Sequence, residues 1–303
     1  MTIRAARVLC RLLALFGALL ASACVDASGM KLVHSERSLY REVLVYEREG
    51  ERCMCFTRDC RIGRQSCIDL DDPDRIVMTY PRMMLGALYA SPAPKSILIV
   101  GLGGGTLPGV LTQLLPQARI DVVEIDPAVI KVAKSYFGFR ESGNVRAIAA
   151  DGRVFVKRAL REGRRYDLIM LDAFDHEYIP EHLLTKEFLQ EVKSLLVPGG
   201  ILAANTFSSS RLYDHESVTY QAVFPIFFNL KRENRVIIAA NGPLPDASVL
   251  RENSAKFEQA FERYGFEADA ILSLFQTRPD WKRDARVLTD QYSPANLLNL
   301  GTR

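Results

Sequence analysis

Residues 96–105 read Ser-Ile-Leu-Ile-Val-Gly-Leu-Gly-Gly-Gly, and two features of this stretch decide the fold. Four of the first five residues are apolar, which predicts a buried strand of a parallel sheet. The strand leads directly into glycines, which let the backbone turn sharply and approach a ligand without a side chain in the way. The glycines of this loop are Gly101, Gly103, Gly104 and Gly105.

Strands and helices alternate from this stretch onward. Predicted strands cover 96–100, 120–125, 145–149, 167–171, 201–205 and 235–240. Predicted helices cover 108–115, 128–137, 154–160 and 185–196, and a turn is predicted at 198–200. Such alternation implies a parallel sheet with helices on both faces. We therefore predict a Rossmann-like α/β domain over residues 93–303.

The segment before this domain has a different pattern. Between residues 39 and 68 short β-like pieces are separated by polar turns, which predicts a small antiparallel β-domain. A helix is predicted over 73–88, and Ser91-Pro-Ala-Pro94 then marks a domain boundary. We assign this N-terminal β-domain, with its following helix, to residues 31–92.

Acidic residues follow two of the predicted strands. Glu124 ends the second strand, nineteen positions after Gly105, where a carboxylate can accept both hydroxyls of a ribose. Asp151 and Gly152 follow the third strand, where an acceptor could bind the amino group of adenine. The loop departs from G-x-G-x-x-G, which favours an AdoMet-like ligand over NAD. The alternatives are a dinucleotide dehydrogenase, or a structural glycine turn beside a solvated glutamate.

The fourth strand is followed by an acidic segment. Residues 172–181 read Asp-Ala-Phe-Asp-His-Glu-Tyr-Ile-Pro-Glu and would attract a cation. An alkyl amine has a pKa of about 10 and must lose a proton before it can act as a nucleophile. Asp172 or Asp175 is the candidate base. The alternative is a solvated acidic loop in which Asp172 caps a helix.

The N-terminal 24 residues predict export. Three arginines precede an apolar run over 12–20. Small residues follow this run and lead to Cys24. This order is typical of a secretory signal, here a signal peptide or a lipoprotein or membrane anchor over 1–24. We expect an exported protein, periplasmic or membrane-anchored through this segment alone. The alternative is a cytoplasmic protein whose N-terminal segment does not function in export. The arginines are Arg4, Arg7 and Arg11.

Four of the remaining cysteines lie in one short stretch of the N-terminal β-domain. An even number of cysteines in an exported protein predicts disulfides. Two short strands flank a turn near Asp59, which suggests the pairs Cys53–Cys67 and Cys55–Cys60. A zinc site is the alternative, but the spacing lacks a paired C-x-x-C and no histidine lies nearby.

Composition limits the function further. The 303 residues carry a net charge of only +3 and no long basic run, so nucleic acid is not expected as a partner. No metal or tightly bound cofactor is expected either.

Taken together, these motifs resemble the spermidine synthase (polyamine aminopropyltransferase) family. They are the three glycines, Val-Glu-Ile-Asp at 123–126, Asp151-Gly152, the Asp172-x-x-Asp175 pair and Pro-Gly-Gly at 198–200. The resemblance implies decarboxylated AdoMet as co-substrate, a small-molecule amine as acceptor, methylthioadenosine as product, and a homodimer. It further implies that Gln65 contributes to the nucleoside site, that Tyr80 faces the substrate, and that Asp172 and Asp175 hold the amine.

Two positions depart from the family pattern. Thr106 stands where the family usually has an Asp that binds the ammonium of the donor and repels the carboxylate of AdoMet. Pro81-Arg82 replace the His/Gln-Glu that commonly follows the family Tyr, and Arg82 would disfavour a cationic amine if it faced the cleft. Two alternatives therefore stay open, methyl transfer from intact AdoMet and a non-catalytic protein that binds nucleosides or polyamines.

Overall fold

A small antiparallel sheet opens the part of the chain that the computed structural model describes, which comprises residues 29–61, 63–173, 180–206 and 211–299. Its four strands pair in chain order. They are β1 (Lys31–Arg37), β2 (Glu42–Arg48), β3 (Glu51–Cys55) and β4 (Arg64–Asp69). Glu49 and Gly50 join β2 to β3 with positive φ angles of 50° and 82°, the backbone that a two-residue hairpin favours.

Two disulfides hold this sheet together. Cys53 on β3 lies directly opposite Cys67 on β4, and the two are bonded. Cys55 is bonded to Cys60 in the turn that follows β3. The pairing is the predicted one. All four cysteines are buried, in a cluster with Leu44 and Tyr46 of β2 and with Met30.

The predicted helix over 73–88 is wrong in its first part. Ile76 forms a β-bridge with Ile68 and donates its N–H to the Tyr264 carbonyl. The backbone at Ile76 is therefore not helical. The helix begins only at Thr79. It is divided into α1 (Thr79–Leu85) and α2 (Ala87–Ala90).

A seven-stranded sheet forms the second part of the molecule. Its first five strands are parallel, and the last two are antiparallel to their neighbours. The strands are β5 (Ser96–Val100), β6 (Arg119–Glu124), β7 (Val145–Ala149), β8 (Tyr166–Leu171), β9 (Leu196–Thr206), β10 (Phe227–Lys231) and β11 (Arg235–Ala240). Their order across the sheet is β10-β11-β9-β8-β5-β6-β7. The Rossmann-like α/β prediction is confirmed.

Helices connect and follow these strands. They are α3 (Thr106–Leu114), α4 (Pro127–Tyr136), α5 (Gly152–Arg161), α6 (Lys186–Leu195), α7 (Leu212–Val223), α8 (Ala247–Ala255), α9 (Glu258–Arg263), α10 (Ala268–Leu272) and α11 (Ala295–Asn299), with a 3-10 turn at Glu181–Leu183. No helix in the described part of the chain is long and apolar enough to span a membrane.

The central strand β5 shows why the sheet is covered on both sides. Ile97 and Ile99 belong to one buried cluster, and Leu98 and Val100 belong to another. Side chains alternate between the faces of a strand, so a continuous apolar run requires a cover on each face. The neighbours of β5 are β6 and β8, which makes this the point where the strand order reverses. In open α/β sheets ligands bind outside the carboxyl ends of the strands at such a point.

One predicted turn lies inside a strand. Residues 198–200 are part of β9, which extends from Leu196 to Thr206. Gly199 has a φ of 77°, and the pairing of β8 with β9 is irregular between Tyr166 and Leu168. The Pro-Gly-Gly sequence therefore bends the strand without ending it.

Candidate active site

The glycine loop after β5 passes close to the end of β8. Gly101 has a φ of 99°, and a Cβ atom there would lie 2.1 Å from the main-chain oxygen of Asp172. Its N–H donates to the Val123 carbonyl at 2.7 Å, so the loop is also tied to β6. Only glycine fits this approach. The loop thus brings the ends of three neighbouring strands together.

The N-terminal sheet closes over the same loop. Ser66 on β4 is buried, and a Cβ atom on Gly104 would lie 2.6 Å from its hydroxyl oxygen. A Cβ on Gly103 would lie 3.6 Å from the Ser66 Cβ. Gln65, next to it, donates its side-chain amide to the Gly63 carbonyl at 3.4 Å. The predicted nucleoside-site glutamine therefore lies on the strand that covers the glycine loop.

Glu124 is fixed by backbone donors. Its side chain is only 9% exposed, and its Oε2 and Oε1 accept the N–H groups of Leu102 and Asp126, each at 3.0 Å. Burial raises the pKa of its carboxyl, against the lowering effect of these two hydrogen bonds. Each carboxylate oxygen can accept a second hydrogen bond. The carboxylate is therefore oriented and retains capacity for two ribose hydroxyls.

Asp151 is the N-cap of α5. Its Oδ1 accepts the Val154 N–H at 2.8 Å, and its Oδ2 lies 2.9 Å from Nε2 of His182 in the 3-10 turn. Gly152 follows it, where a Cβ would lie 2.6 Å from the Cγ1 of Val100 on β5. The glycine therefore permits close packing of α5 against the central strand. His182 was not predicted at this position.

Asp172 lies at the end of β8 in a separate polar cluster. Its Oδ1 accepts the side-chain N–H of Asn205 from β9 at 3.0 Å. The Tyr80 hydroxyl of α1 lies 3.5 Å from the Gln65 carbonyl and also interacts with the Asp172 carboxylate. Desolvation raises the pKa of Asp172 to about 7, although both hydrogen bonds lower it and the Glu124 charge adds to the rise. Burial also raises the pKa of Tyr80 well above its usual value. This carboxyl can therefore exchange a proton near neutral pH.

Thr106 begins α3, directly after the last glycine of the loop. The first turn of α3 contains no acidic residue. A helix N-terminus favours negative charge. The position gives no counter-charge to an ammonium.

Arg82 has other partners. Its guanidinium donates to the Ile76 carbonyl, with Nε at 2.9 Å, and lies over the Phe266 ring at 5.9 Å. Burial lowers the pKa of this guanidinium. Its hydrogen bonds therefore go to the main chain and not to Tyr80 or Asp172.

The sequence matches a known family. Residues 78–228 match the spermine/spermidine synthase domain. The chain is 46% identical over 272 residues to a polyamine aminopropyltransferase of Vibrio vulnificus, in an alignment that covers 88% of this chain and 91% of that protein. The chain belongs to the spermine/spermidine synthase family.

Solved structures share the fold of this family member. A spermidine synthase in complex with the transition state analogue AdoDATO has a TM-score of 0.61 at 20% identity, over 82% of this chain and 87% of that one. Human methyltransferase-like protein 13 in complex with SAH has a TM-score of 0.54 at 26% identity, over 67% of this chain and 96% of that one. Both show a common fold, the first with a spermidine synthase and the second with a methyltransferase-like protein.

The structure of this spermine/spermidine synthase family member brings most of the predicted residues to one edge of the sheet. The glycine loop, Glu124, Asp151 and Asp172 all follow parallel strands there, and Tyr80 contacts Asp172. Asp175 lies outside the described residues, and its role stays a prediction.

Three polar residues of this edge were not predicted, namely Ser66, His182 and Asn205. Asn205 ends a predicted strand, and the rule that ligands gather at carboxyl ends could have identified it. His182 and Ser66 carry no comparable signal, since neither follows a predicted strand of the parallel sheet.

Proposed function

We propose that this chain transfers an aminopropyl group from decarboxylated AdoMet to a small-molecule amine and releases methylthioadenosine. The observation that carries the proposal is Asp172, a carboxyl with a pKa raised to about 7 beside the glycine loop. A polyamine nucleophile requires such a base, because it arrives protonated at neutral pH. Membership of the spermine/spermidine synthase family supports the same activity.

In this proposal the donor lies across the carboxyl ends of β5, β6 and β7. Glu124 accepts the two ribose hydroxyls through its free lone pairs, and Asp151 accepts the amino group of adenine. The glycine loop, covered by the strand that carries Gln65, lies against the sulfonium end. These contacts hold the donor in one orientation, which is the main way in which an enzyme accelerates a displacement between two bound molecules.

The chemical step is an in-line displacement. The Asp172 carboxylate takes a proton from the ammonium of the acceptor, with Tyr80 and Asn205 holding the carboxylate in place. The freed nitrogen lone pair forms a bond to the donor carbon next to sulfur. The carbon–sulfur bond breaks, and its electron pair neutralises the sulfonium as methylthioadenosine leaves. Asp175 is proposed as a second contact for the acceptor's positive charge.

We further propose that the protein is exported through residues 1–24. We also propose that it functions as a homodimer. The export proposal is supported by the order of charged, apolar and small residues there. The two bonded cysteine pairs support it independently, because disulfides persist in oxidising compartments. The homodimer follows from the family resemblance.

A second candidate function is methyl transfer from intact AdoMet. Thr106 favours it, since the first turn of α3 lacks an acidic residue that would repel the AdoMet carboxylate. The likeness to a methyltransferase structure in complex with SAH is consistent with it.

The decisive experiment combines binding with product analysis. Calorimetry of the purified protein with decarboxylated AdoMet, AdoMet and methylthioadenosine ranks the three ligands. Incubation of the protein with each donor and putrescine, followed by mass spectrometry, identifies the transferred group. We expect tighter binding of decarboxylated AdoMet than of AdoMet, together with a product heavier by one aminopropyl group. A methylated amine would establish the second candidate, and no product with either donor would contradict both.

A further inference from the structure

Among the residues that the structure describes, His182 contacts the Asp151 carboxylate with its side chain, with Nε2 at 2.9 Å from Oδ2. The carboxylate is an acceptor, so Nε2 carries the proton in this contact. The other carboxylate oxygen accepts the Val154 N–H at 2.8 Å. Each oxygen therefore has one fixed donor. Together the two donors determine the plane of the carboxylate and the direction of its remaining lone pairs.

A purely stabilising role does not account for this pair. The side chains of His182 and Asp151 are 43% and 28% exposed, and exposed pairs contribute between nothing and about 1 kcal/mol to folding. Asp151 would still cap α5 without His182, because that hydrogen bond uses its other oxygen. The contact matters most for the direction in which Oδ2 points.

The main chain at His182 is held independently of its side chain. Its carbonyl accepts a hydrogen bond from Arg153 at 3.3 Å, and Arg153 is itself anchored by Glu191 and Asp290. The next residue, Leu183, is buried and packs near Gly152. A substitution at position 182 can therefore remove the imidazole while leaving the turn in place.

We propose that His182 is a positioning residue that orients Asp151 toward the nucleobase of the donor and so sets the preference for adenine. This inference rests on the proposed nucleoside site. Adenine presents an amino group that can donate to the free lone pair of Oδ2. A 6-oxo base presents a carbonyl oxygen at the same position. This oxygen and the carboxylate are both acceptors, so no hydrogen bond forms between them. Discrimination requires that the carboxylate cannot rotate away, and the His182 hydrogen bond prevents that rotation.

The test is the ratio of the affinities for methylthioadenosine and methylthioinosine, measured by calorimetry. We expect the native protein to prefer methylthioadenosine by at least about tenfold, as the loss of a hydrogen bond to a charged group predicts. His182→Ala should lower this ratio on the order of three- to tenfold, the range of one hydrogen bond. His182→Gln places an amide donor near the Nε2 position and should restore the ratio to within about twofold.

A matched control is His34 on β1, whose Nε2 lies 3.2 Å from the Glu36 carboxylate. His34→Ala removes a similar partly exposed contact in the N-terminal sheet and should leave the ratio unchanged. Asp151→Asn supplies a second control, because adding His182→Ala to it should produce no further change in the ratio.

Two results would overturn the assignment. The first is a native protein that does not distinguish the two nucleosides. The second is a folded His182→Ala variant with the native ratio, whether its affinities are unchanged or are lowered equally for both nucleosides. The proposed aminopropyl transfer fails by a different observation. If the native protein forms no aminopropylated product but shows the expected ratios, the His182 assignment is supported and the proposed function is not.

Discussion

The two halves of the candidate site differ in how they are built. In the nucleoside half, Glu124 and Asp151 are held by backbone N–H groups of the loop or helix beside them. In the amine half, Asp172 is held by side chains of two distant segments, Tyr80 and Asn205. The first half therefore relies mainly on main-chain donors, to which His182 adds one side-chain donor for Asp151. The second depends on tertiary packing, which leaves its substrate preference more open to change.

The carboxyls of the two halves also differ in what opposes the effect of burial on their pKa. In Glu124 burial raises the pKa, and hydrogen bonds from two backbone N–H groups oppose the rise. Asp172 has a pKa of about 7, so near neutrality it is divided between its two forms. A fixed acceptor suits the binding of a neutral ribose, whereas a group that gains and loses a proton suits catalysis. Substitutions in the two halves should therefore have separable effects on binding and turnover.

The largest effect is expected from Asp172→Asn. The amide is isosteric but cannot accept the proton of the acceptor, so kcat should fall by roughly 10²–10⁴-fold, the usual contribution of a general base. Affinity for methylthioadenosine should stay within about threefold, because the contacts of Asp172 belong to the amine half. Steady-state product formation and calorimetry measure the two quantities. A drop in kcat of less than tenfold would exclude Asp172 as the base.

Glu124→Ala should break the nucleoside half. Two hydrogen bonds to a charged group are lost, each worth about 1.5–3 kcal/mol, so affinity for methylthioadenosine should fall by at least about a hundredfold. Calorimetry measures the affinity, and circular dichroism checks the fold. The control is Asp121→Asn on the same strand, where the buried carboxylate accepts hydrogen bonds from Arg146 and Tyr166. That variant should lose stability and keep its nucleoside affinity, and a folded Glu124→Ala with native affinity would refute the ribose assignment.

The same contrast explains what could be predicted from the sequence. The glycine loop, Glu124 and Asp151 lie at the strand ends where the sequence predicted them, because the apolar run of each strand is visible locally. The disulfide pairing also followed from two short strands around a turn. The start of α1 was misplaced because Ile76 is held by Tyr264, a contact 188 positions away along the chain, as their numbers show. His182 was missed for a similar reason, since its partner Asp151 lies on another element. Asn205, in contrast, ends a predicted strand and could have been identified by that position.

Thr106→Asp should change the preference between the two donors, with a smaller effect. A carboxylate in the first turn of α3 would attract the ammonium of decarboxylated AdoMet and repel the carboxylate of AdoMet. We expect the first ligand to bind more tightly and the second more weakly, each by about 1–3 kcal/mol. Calorimetry with both ligands measures the change, and Thr106→Asn is the uncharged control. If neither affinity changes, side chain 106 lies outside the binding site.

The smallest expected effect is a displacement of the pH profile by Tyr80→Phe. Because the pKa of Asp172 is raised to about 7, its carboxyl is protonated and inactive as a base at lower pH, and kcat should rise as the pH rises through this value. The Tyr80 hydroxyl lowers this pKa by donating to the carboxylate. Its removal should therefore raise the pKa and move the acid limb of the kcat profile to higher pH, while the plateau at high pH changes less. Asn205→Ala should move the limb in the same direction, because the Asn205 hydrogen bond also lowers the pKa of Asp172. An acid limb that stays in place in both variants would show that a group other than Asp172 controls the pH profile. The assignment of the amine half to proton transfer would then fail.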